Sequence, residues 1–185
     1  MNSALTKIIK TPMGMLSAAA TPKGICRLDF TDSKANRAAA VAAPKVRRTG
    51  STAALADRLD QKAEQQAKKH LAQAERELAQ YFRGNLRAFK VPLVYEGTPF
   101  QVAVWKRLLK IPYGKTASYE QVAADIGRAG AQRAVGTANG KNQIAIVIPC
   151  HRVINKNGAL GGYGGGLSRK RRLLDLERRA PASSR

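Results

Sequence analysis

The spacing of apolar positions changes character along the chain, and each change marks a different kind of element. In residues 7–30 the apolar runs are short and broken by turn signals at Thr11-Pro12, Thr21-Pro22 and Gly24. Met15 to Ala20 and Ile25 to Phe30 read as the two strands of a hairpin. Residues 31–57 are rich in Ala, Ser, Thr, Lys and Arg with no strong period, and read as a loop or partly disordered insertion. From about residue 60 the period turns helical. Ala67, Leu71, Ala74, Leu78 and Phe82 fall on one helical face, and Gly84 stands where a C-terminal cap belongs. Val91 to Val94 reads as a short strand or link.

The second part opens at Thr98. Thr98-Pro99-Phe100-Gln101 has the form of a capping box with proline at the first helical position. Its helix runs to about Lys110 and should bury Val104, Trp105 and Leu108. After the turn Pro112-Tyr113-Gly114, Ser118-Tyr119-Glu120-Gln121 forms a second capping box, and Gly127 ends its short helix. A third helix covers about Ala131 to Asn139, closed by Gly140. Two short helices joined by a tight glycine-containing turn have the outline of a helix-turn-helix. The small residues Ala131, Ala134, Gly136, Thr137 and Ala138 suit either close approach to a nucleic-acid groove or packing on a neighbouring helix, and the pattern does not choose. Arg133 sits in the first turn, where a cation opposes the helix dipole, so its placement points away from a purely stabilising role. Ile144 to Ile148 reads as a buried β-branched strand leading into Pro149-Cys150-His151-Arg152-Val153-Ile154. The predicted class is α/β (α+β), with an N-terminal α/β domain at 1–93, a mostly helical C-terminal domain at 94–179 and a mobile tail at 180–185.

Charge narrows the partner. Lys and Arg number 33 against 12 acidic residues, a net charge of +21. A polyanion is the natural counterpart, nucleic acid ahead of a membrane surface or an anionic substrate. The two cysteines, Cys26 and Cys150, are far below the density of a disulfide scaffold and fit a reducing, cytoplasmic setting. No signal peptide is read at the N-terminus, and no stretch approaches the roughly 20 apolar residues of a membrane span.

Cys150 carries the candidate chemistry. A thiol beside an imidazole and a guanidinium is expected to ionise more readily than a free cysteine, and thiolate is a soft nucleophile suited to an alkyl carbon. The plain alternatives are a small buried hydrophobe at Cys150 and a structural imidazole at His151.

The segment PCHRVI, at 149–154, resembles the active-site signature of the O6-alkylguanine-DNA alkyltransferases. Further segments match in order: Thr98-Pro99-Phe100-Gln101 with Val104-Trp105, Ile111-Pro112-Tyr113-Gly114 with Ser118-Tyr119, Arg133-Ala134-Val135-Gly136, Asn142, and Gly161-Gly162-Tyr163 with Gly165-Gly166. The resemblance is strong over 98–177 and weaker over 7–92, where it implies a small RNase H-like mixed α/β domain.

The resemblance implies a repair protein that moves the alkyl group of O6-alkylguanine, with O4-alkylthymine left open, irreversibly onto its own Cys150. His151 would take the thiol proton through a water, and Glu177 would orient the imidazole. Without the resemblance, Glu177 reads as a solvated residue among Arg171, Arg172 and Arg178. Asn142 would tie the helix-turn-helix to the active-site strand. Tyr119 would lie beside the target base and supply a proton to the departing purine. Arg133 would fill the space of a base flipped out of the duplex, with Ser118, Tyr119, Ala134, Gly136 and Arg152 also meeting DNA from the minor groove. Val153, Tyr163, Gly161, Gly164 and Gly165 would shape the substrate pocket, with the carbonyls of Cys150 and Val153 binding the guanine edge. The partner would be double-stranded DNA carrying the lesion, with no membrane; the protein would act as a monomer in the cytoplasm at the nucleoid, with cooperativity on DNA left open.

No cofactor is implied. Cys26 and His70 are too few for the zinc site of some relatives, so no metal is expected. Gln143 departs from the proline common in the family at that position, and no appended regulatory domain is read. Three rivals stand beside this reading: a cysteine hydrolase using Cys150 and His151, a DNA-binding protein without chemistry, and an alkyltransferase-like protein that only flags damage.

Overall fold

The computed structural model describes residues 4–32 and 53–179. Most of the 31–57 stretch and the tail at 180–185 lie outside the described residues. Three antiparallel strands, β1 (Leu5–Thr11), β2 (Gly14–Thr21) and β3 (Gly24–Phe30), form a sheet in sequence order. β2 and β3 are the predicted hairpin. β1 escaped the pattern because it is an edge strand whose only fully buried residue is Ile9, so no alternation shows.

Helix α1 (Ala53–Phe82) packs across the sheet through Ala67, Leu71, Ala74 and Leu78. It starts earlier than predicted: Leu55, Leu59 and Ala63 extend the four-residue spacing of Ala67 and Leu71 back into the segment read as a loop. Gly84, at φ +78°, ends it as predicted: its N–H bonds Tyr81 O, and Asn85 N bonds Gln80 O.

The free edge of β3 joins the two halves of the chain. Ile25 N donates to Pro92 O at 2.8 Å and Val94 N to Ile25 O at 2.8 Å. Farther along, Leu28 N donates to Gln143 O at 2.9 Å and Ala145 N to Leu28 O at 2.7 Å. Gly24 is required here: at φ +149°, a Cβ would also collide with the Pro92 carbonyl.

Beyond this seam lie α2 (Pro99–Leu108), β4 (Ala117–Ser118), α3 (Tyr119–Asp125), α4 (Gln132–Gly140), a single 3-10 turn (Cys150–Arg152), β5 (Val153–Ile154) and α5 (Leu167–Arg179). The Thr98 capping box closes in both directions, with Gln101 N to Thr98 Oγ1 at 3.3 Å and Thr98 N to Gln101 Oε1 at 3.0 Å. Only half of the second predicted box is formed. Ser118 Oγ accepts from Gln121 N at 2.9 Å, but the Gln121 amide turns outward to Asp125 Oδ1 at 2.7 Å. Val104, Trp105 and Leu108 are buried as predicted, and Trp105 Nε1 donates to Ala138 O at 2.9 Å, fastening α4 to α2.

Ile144 to Ile148 is not a strand. Ile144 makes a single bridge to Leu28, residues 145–147 turn, and Ile146 takes a left-handed φ of +71°. Ile144, Ile146 and Ile148 are nonetheless fully buried. A β-branched residue at positive φ is costly, on the order of 1–3 kcal/mol, and persists only where surrounding contacts fix it. The apolar run reported burial correctly; burial and strand are different properties.

Candidate active site and nucleic-acid groove

The contacts that fix this loop come from Asn142. Its Oδ1 accepts from Ile144 N at 3.0 Å, while Nδ2 donates to Ile148 O at 2.9 Å and to Cys150 Sγ at 3.0 Å. One side chain thus holds the turn and supports negative charge on the sulfur. Asn139, on α4, adds a bond from Nδ2 to Cys150 O at 3.3 Å.

The 3-10 turn points three neighbouring side chains into the interior. Cys150, His151 and Arg152 are all buried, and Glu177 is reached from α5. His151 Nε2 lies 2.8 Å from Glu177 Oε1. Arg152 bonds the same carboxylate through Nε to Oε2 and Nη2 to Oε1, both at 2.9 Å, and its Nη1 donates to Ile111 O at 2.6 Å. Gly114 N donates to Glu177 Oε2 at 3.0 Å, and Tyr81 Oη donates to Oε1 at 2.7 Å. The solvated alternative for Glu177 is overturned: its side chain is closed off from water within a ring of donors.

Two further expectations need correction. Arg152 does not present its guanidinium to the surface, where a DNA contact was expected: it is turned inward and bonded to Glu177 and Ile111. Nor is the resting thiol readily ionised. Burial pushes the Cys150 thiol up to about 11, despite the Asn142 bond and the nearby Lys170 charge, which pull it down. The guanidinium that was expected to help is neutralised by a carboxylate. Burial also lowers His151, opposed by its bond to Glu177, and the Arg152 and Lys170 charges lower it further. Burial alone would raise Glu177, but the bonds and charges of His151 and Arg152 outweigh it and bring it down to about 2. The resting site therefore pairs a neutral thiol and a neutral imidazole with a charged carboxylate. Nδ1 of His151 is buried with no protein partner, leaving that nitrogen available for a proton.

Lys170 was not singled out from the sequence. It is fully buried, donating to Val153 O at 2.6 Å, Gly161 O at 3.1 Å and Gly162 O at 3.3 Å. Burial lowers its ammonium to about 8, against the Cys150 charge, which raises it. It sits in a run of cations, but Lys170, Leu173, Leu174 and Glu177 share one helical face, and that spacing was the available signal.

Strands β4 and β5 pair in parallel, Ala117 with Val153 and Ser118 with Ile154, which carries Tyr119 to the reactive turn. Tyr119 lies between α4 and the glycine loop. A Cβ at Gly161 would stand 2.6 Å from its hydroxyl, and one at Gly136 would stand 3.8 Å from its ring. Burial, and then the Cys150 charge, raise the Tyr119 phenol, so it keeps its proton.

A groove of about 910 Å³ opens here, lined among others by Tyr119, Arg133, Gly136, Gly161, Tyr163 and Gly164. Arg133 and Ala134 are exposed, while Ala138 is buried under Trp105. The small residues of α4 therefore divide between an exposed side and a packed one. Ser118 spends its hydroxyl on the α3 cap. Gly165 is held against Phe30 and Tyr163, where a Cβ would come within 2.7 Å and 2.8 Å of their rings. Val153 and Cys150 lie behind the groove, and their carbonyls already accept from Lys170 and Asn139.

Among the described residues, no group of three or more His, Cys, Asp or Glu is placed to hold a metal ion, and no helix is long and apolar enough to cross a membrane. Cys26 Sγ donates to Ala19 O at 3.5 Å, and His70 Nε2 lies 3.2 Å from Pro22 O.

Two family models match the chain. Residues 5–95 match the 6-O-methylguanine DNA methyltransferase, ribonuclease-like domain, and residues 99–179 match the 6-O-methylguanine DNA methyltransferase, DNA binding domain. A methylated-DNA–protein-cysteine methyltransferase of Methanosarcina barkeri is 42% identical over 170 residues, 92% of this chain and 94% of that protein. The Mycobacterium tuberculosis protein of the same name is 60% identical over 107 residues, 57% of this chain and 65% of that protein, a little under two thirds of its length. The crystal structure of Mycobacterium tuberculosis OGT in complex with DNA superposes with a TM-score of 0.74 at 40% identity, covering 96% of this chain and 95% of that one. The chain belongs to the family of methylated-DNA–protein-cysteine methyltransferases, whose domains are also described as those of 6-O-methylguanine DNA methyltransferase.

Proposed function

We propose that this protein repairs DNA by taking the alkyl group of O6-alkylguanine onto Cys150, once per molecule. The observation that carries the reading is a buried thiol held by Asn142 at 3.0 Å, next in sequence to an imidazole fixed by Glu177 at 2.8 Å. Sulfur attacks the alkyl carbon, the S–C bond forms and the C–O6 bond breaks. The thiol proton passes through a water to His151 Nδ1, and Glu177 stabilises the imidazolium that results. Tyr119 gives its proton to the departing purine, which leaves as neutral guanine, and solvent returns the proton from His151 to Tyr119. Because the resting thiol is neutral, ionisation belongs to the reaction step, when Asn142 and Lys170 stabilise charge at sulfur. The thioether product is a poor leaving group, so the protein is consumed.

Access to the alkyl carbon requires the nucleotide to leave the stack. In this reading, α4 enters the minor groove, Ala134 and Gly136 allow close approach, and Arg133 fills the vacated space. Tyr163, Gly161, Gly164 and Gly165 bound the pocket, and the Cys150 and Val153 carbonyls meet the guanine edge, the first sharing its lone pairs with Asn139 and the Val153 N–H and the second with Lys170. The partner is double-stranded DNA, bound by a monomer in the cytoplasm at the nucleoid, with residues 1–93 as support and 94–179 as the DNA-binding and active-site domain.

The test is a single-turnover assay with excess duplex carrying O6-methylguanine, followed by peptide mass spectrometry. One methyl group on Cys150, then no further reaction, is the expected result. Tight DNA binding without methylation would overturn the proposal. Arg133→Ala isolates the extrusion step: transfer from the free alkylated base should persist, while repair of duplex slows roughly 10- to 100-fold, the kinetic equivalent of a few kcal/mol of unstacking. Equal losses on both substrates would remove that role from Arg133.

A further inference from the structure

Glu177 does not draw all of its support from the half of the chain that carries the thiol. Tyr81, in the last turn of α1, lies 96 residues away in sequence and donates its hydroxyl to Glu177 Oε1 at 2.7 Å. That oxygen is also the partner of His151, at 2.8 Å, and of Arg152 Nη2, at 2.9 Å. A carboxylate oxygen has about two lone-pair directions, so these donors share its charge. Whatever Tyr81 withdraws is no longer available to stabilise a proton on the imidazole.

The phenol is fixed in place. Tyr81 is fully buried, with ring centroids 5.3 Å from Phe82, 5.4 Å from Phe89 and 5.9 Å from Tyr113. Burial and the adjacent carboxylate hold it protonated, so it stays a donor throughout the working pH range.

We infer that Tyr81 is a positioning residue through which the N-terminal half sets the basicity of His151: its hydroxyl orients the Glu177 carboxylate and moderates the negative charge that faces the imidazole. The inference rests on His151 being the base in alkyl transfer. The groups that bear on the pair come from every packed element. They are Tyr81 from α1, Tyr113 with Arg87 over its ring at 5.8 Å, Cys150 and Arg152 from the reactive turn, Tyr163 with its ring 6.5 Å from His151, and Lys170 from α5. Among the described residues, only Tyr81 places a neutral hydroxyl donor on the oxygen that His151 uses.

Tyr81→Phe removes that bond and keeps the ring. With less competition at Oε1, the imidazolium is better stabilised, so His151 holds its proton to higher pH. The acid limb of the transfer-rate profile on free O6-alkylguanine should move up by about half a unit. Well below the limb's midpoint this is a roughly three-fold slower rate, while the plateau changes little. Phe89→Leu loosens the same ring cluster without touching the hydroxyl; it should lower thermal stability and leave the limb in place. In the wild-type protein, the buried Tyr81 hydroxyl proton should give a slowly exchanging downfield NMR resonance that moves in Glu177→Gln, a readout that holds even if Tyr81→Phe folds poorly. A Tyr81→Phe limb that superimposes on the wild type, a Phe89→Leu limb that shifts equally, or a resonance unmoved by Glu177→Gln overturns the inference. A wild-type profile with no acid limb would instead remove the base role of His151, and this inference with it.

Discussion

With Cys150 replaced by serine, no methyl group should appear on the protein, while binding to alkylated duplex continues. The oxygen would occupy a site where burial already pushes a thiol up to about 11, and a hydroxyl is far less acidic than a thiol. It is also a harder nucleophile toward an alkyl carbon. Asn142 Nδ2 would still find an acceptor, so the turn should stay folded, with stability changed by no more than about 1 kcal/mol. Arg133, Gly136 and Tyr119 line the groove independently of the sulfur. Mass spectrometry and a duplex-binding titration on the same sample separate the two properties. A serine variant that still cleared the lesion would mean that Cys150 is not the alkyl acceptor.

Glu177→Gln should damage both rate and stability. An amide in place of the carboxylate can present N–H to His151 Nε2, which favours the tautomer with the proton on Nδ1 and disables the base. Wrong-tautomer effects in comparable sites cost roughly 100- to 10,000-fold in rate. The same change strips Arg152 of its counter-charge in the interior, a loss of roughly 3–5 kcal/mol, or a fall of roughly 10 °C in Tm.

The pH dependence adds a check of sign. Glu177 is lowered from 4.5 to about 2 on folding, so it stabilises the protein above pH 4.5, and that stabilisation fades as pH falls toward 2. The contribution is about 3 kcal/mol, and the glutamine variant lacks it. The stability gap between the two proteins should therefore narrow from pH 7 to pH 3, as read by urea unfolding. A gap unchanged with pH would mean that the carboxylate is not held in its charged form. Duplex binding should be unaffected, since Arg133 and Gly136 lie on α4, away from this cluster.

Much of the secondary structure was legible because local chemistry dictates it. Thr98 with Gln101, Gly84 at positive φ and the buried face of α1 each depend on residues a few positions apart. The failures share a cause. β1 is an edge strand with one fully buried position, and Ile144 to Ile148 is an apolar run whose path is fixed by Asn142 and by β3. Neither constraint is local. Gln121 could have completed a capping box, but Asp125 competes for its amide.

At the site, PCHRVI and its companion segments singled out the cysteine that Asn142 holds, the imidazole that Glu177 holds and an arginine that lines the groove. They misjudged the electrostatics. A guanidinium two residues from a thiol looks like an activator in one dimension; in three it turns to Glu177 and Ile111 and leaves the thiol raised by burial. Lys170, Asn139 and Tyr81 were passed over because each acts on an atom distant in sequence.

The sequence by itself determined the Thr98 capping box, the end of α1 at Gly84, the β2–β3 hairpin, the excess of positive charge and the family, since these follow from residue type and short spacing. The tertiary structure alone decided which charges are buried and with whom. Desolvation and hydrogen bonding depend on what surrounds an atom in space, and Glu177 takes its partners from three separate parts of the chain: α1, the turn at Gly114 and the turn that carries His151 and Arg152.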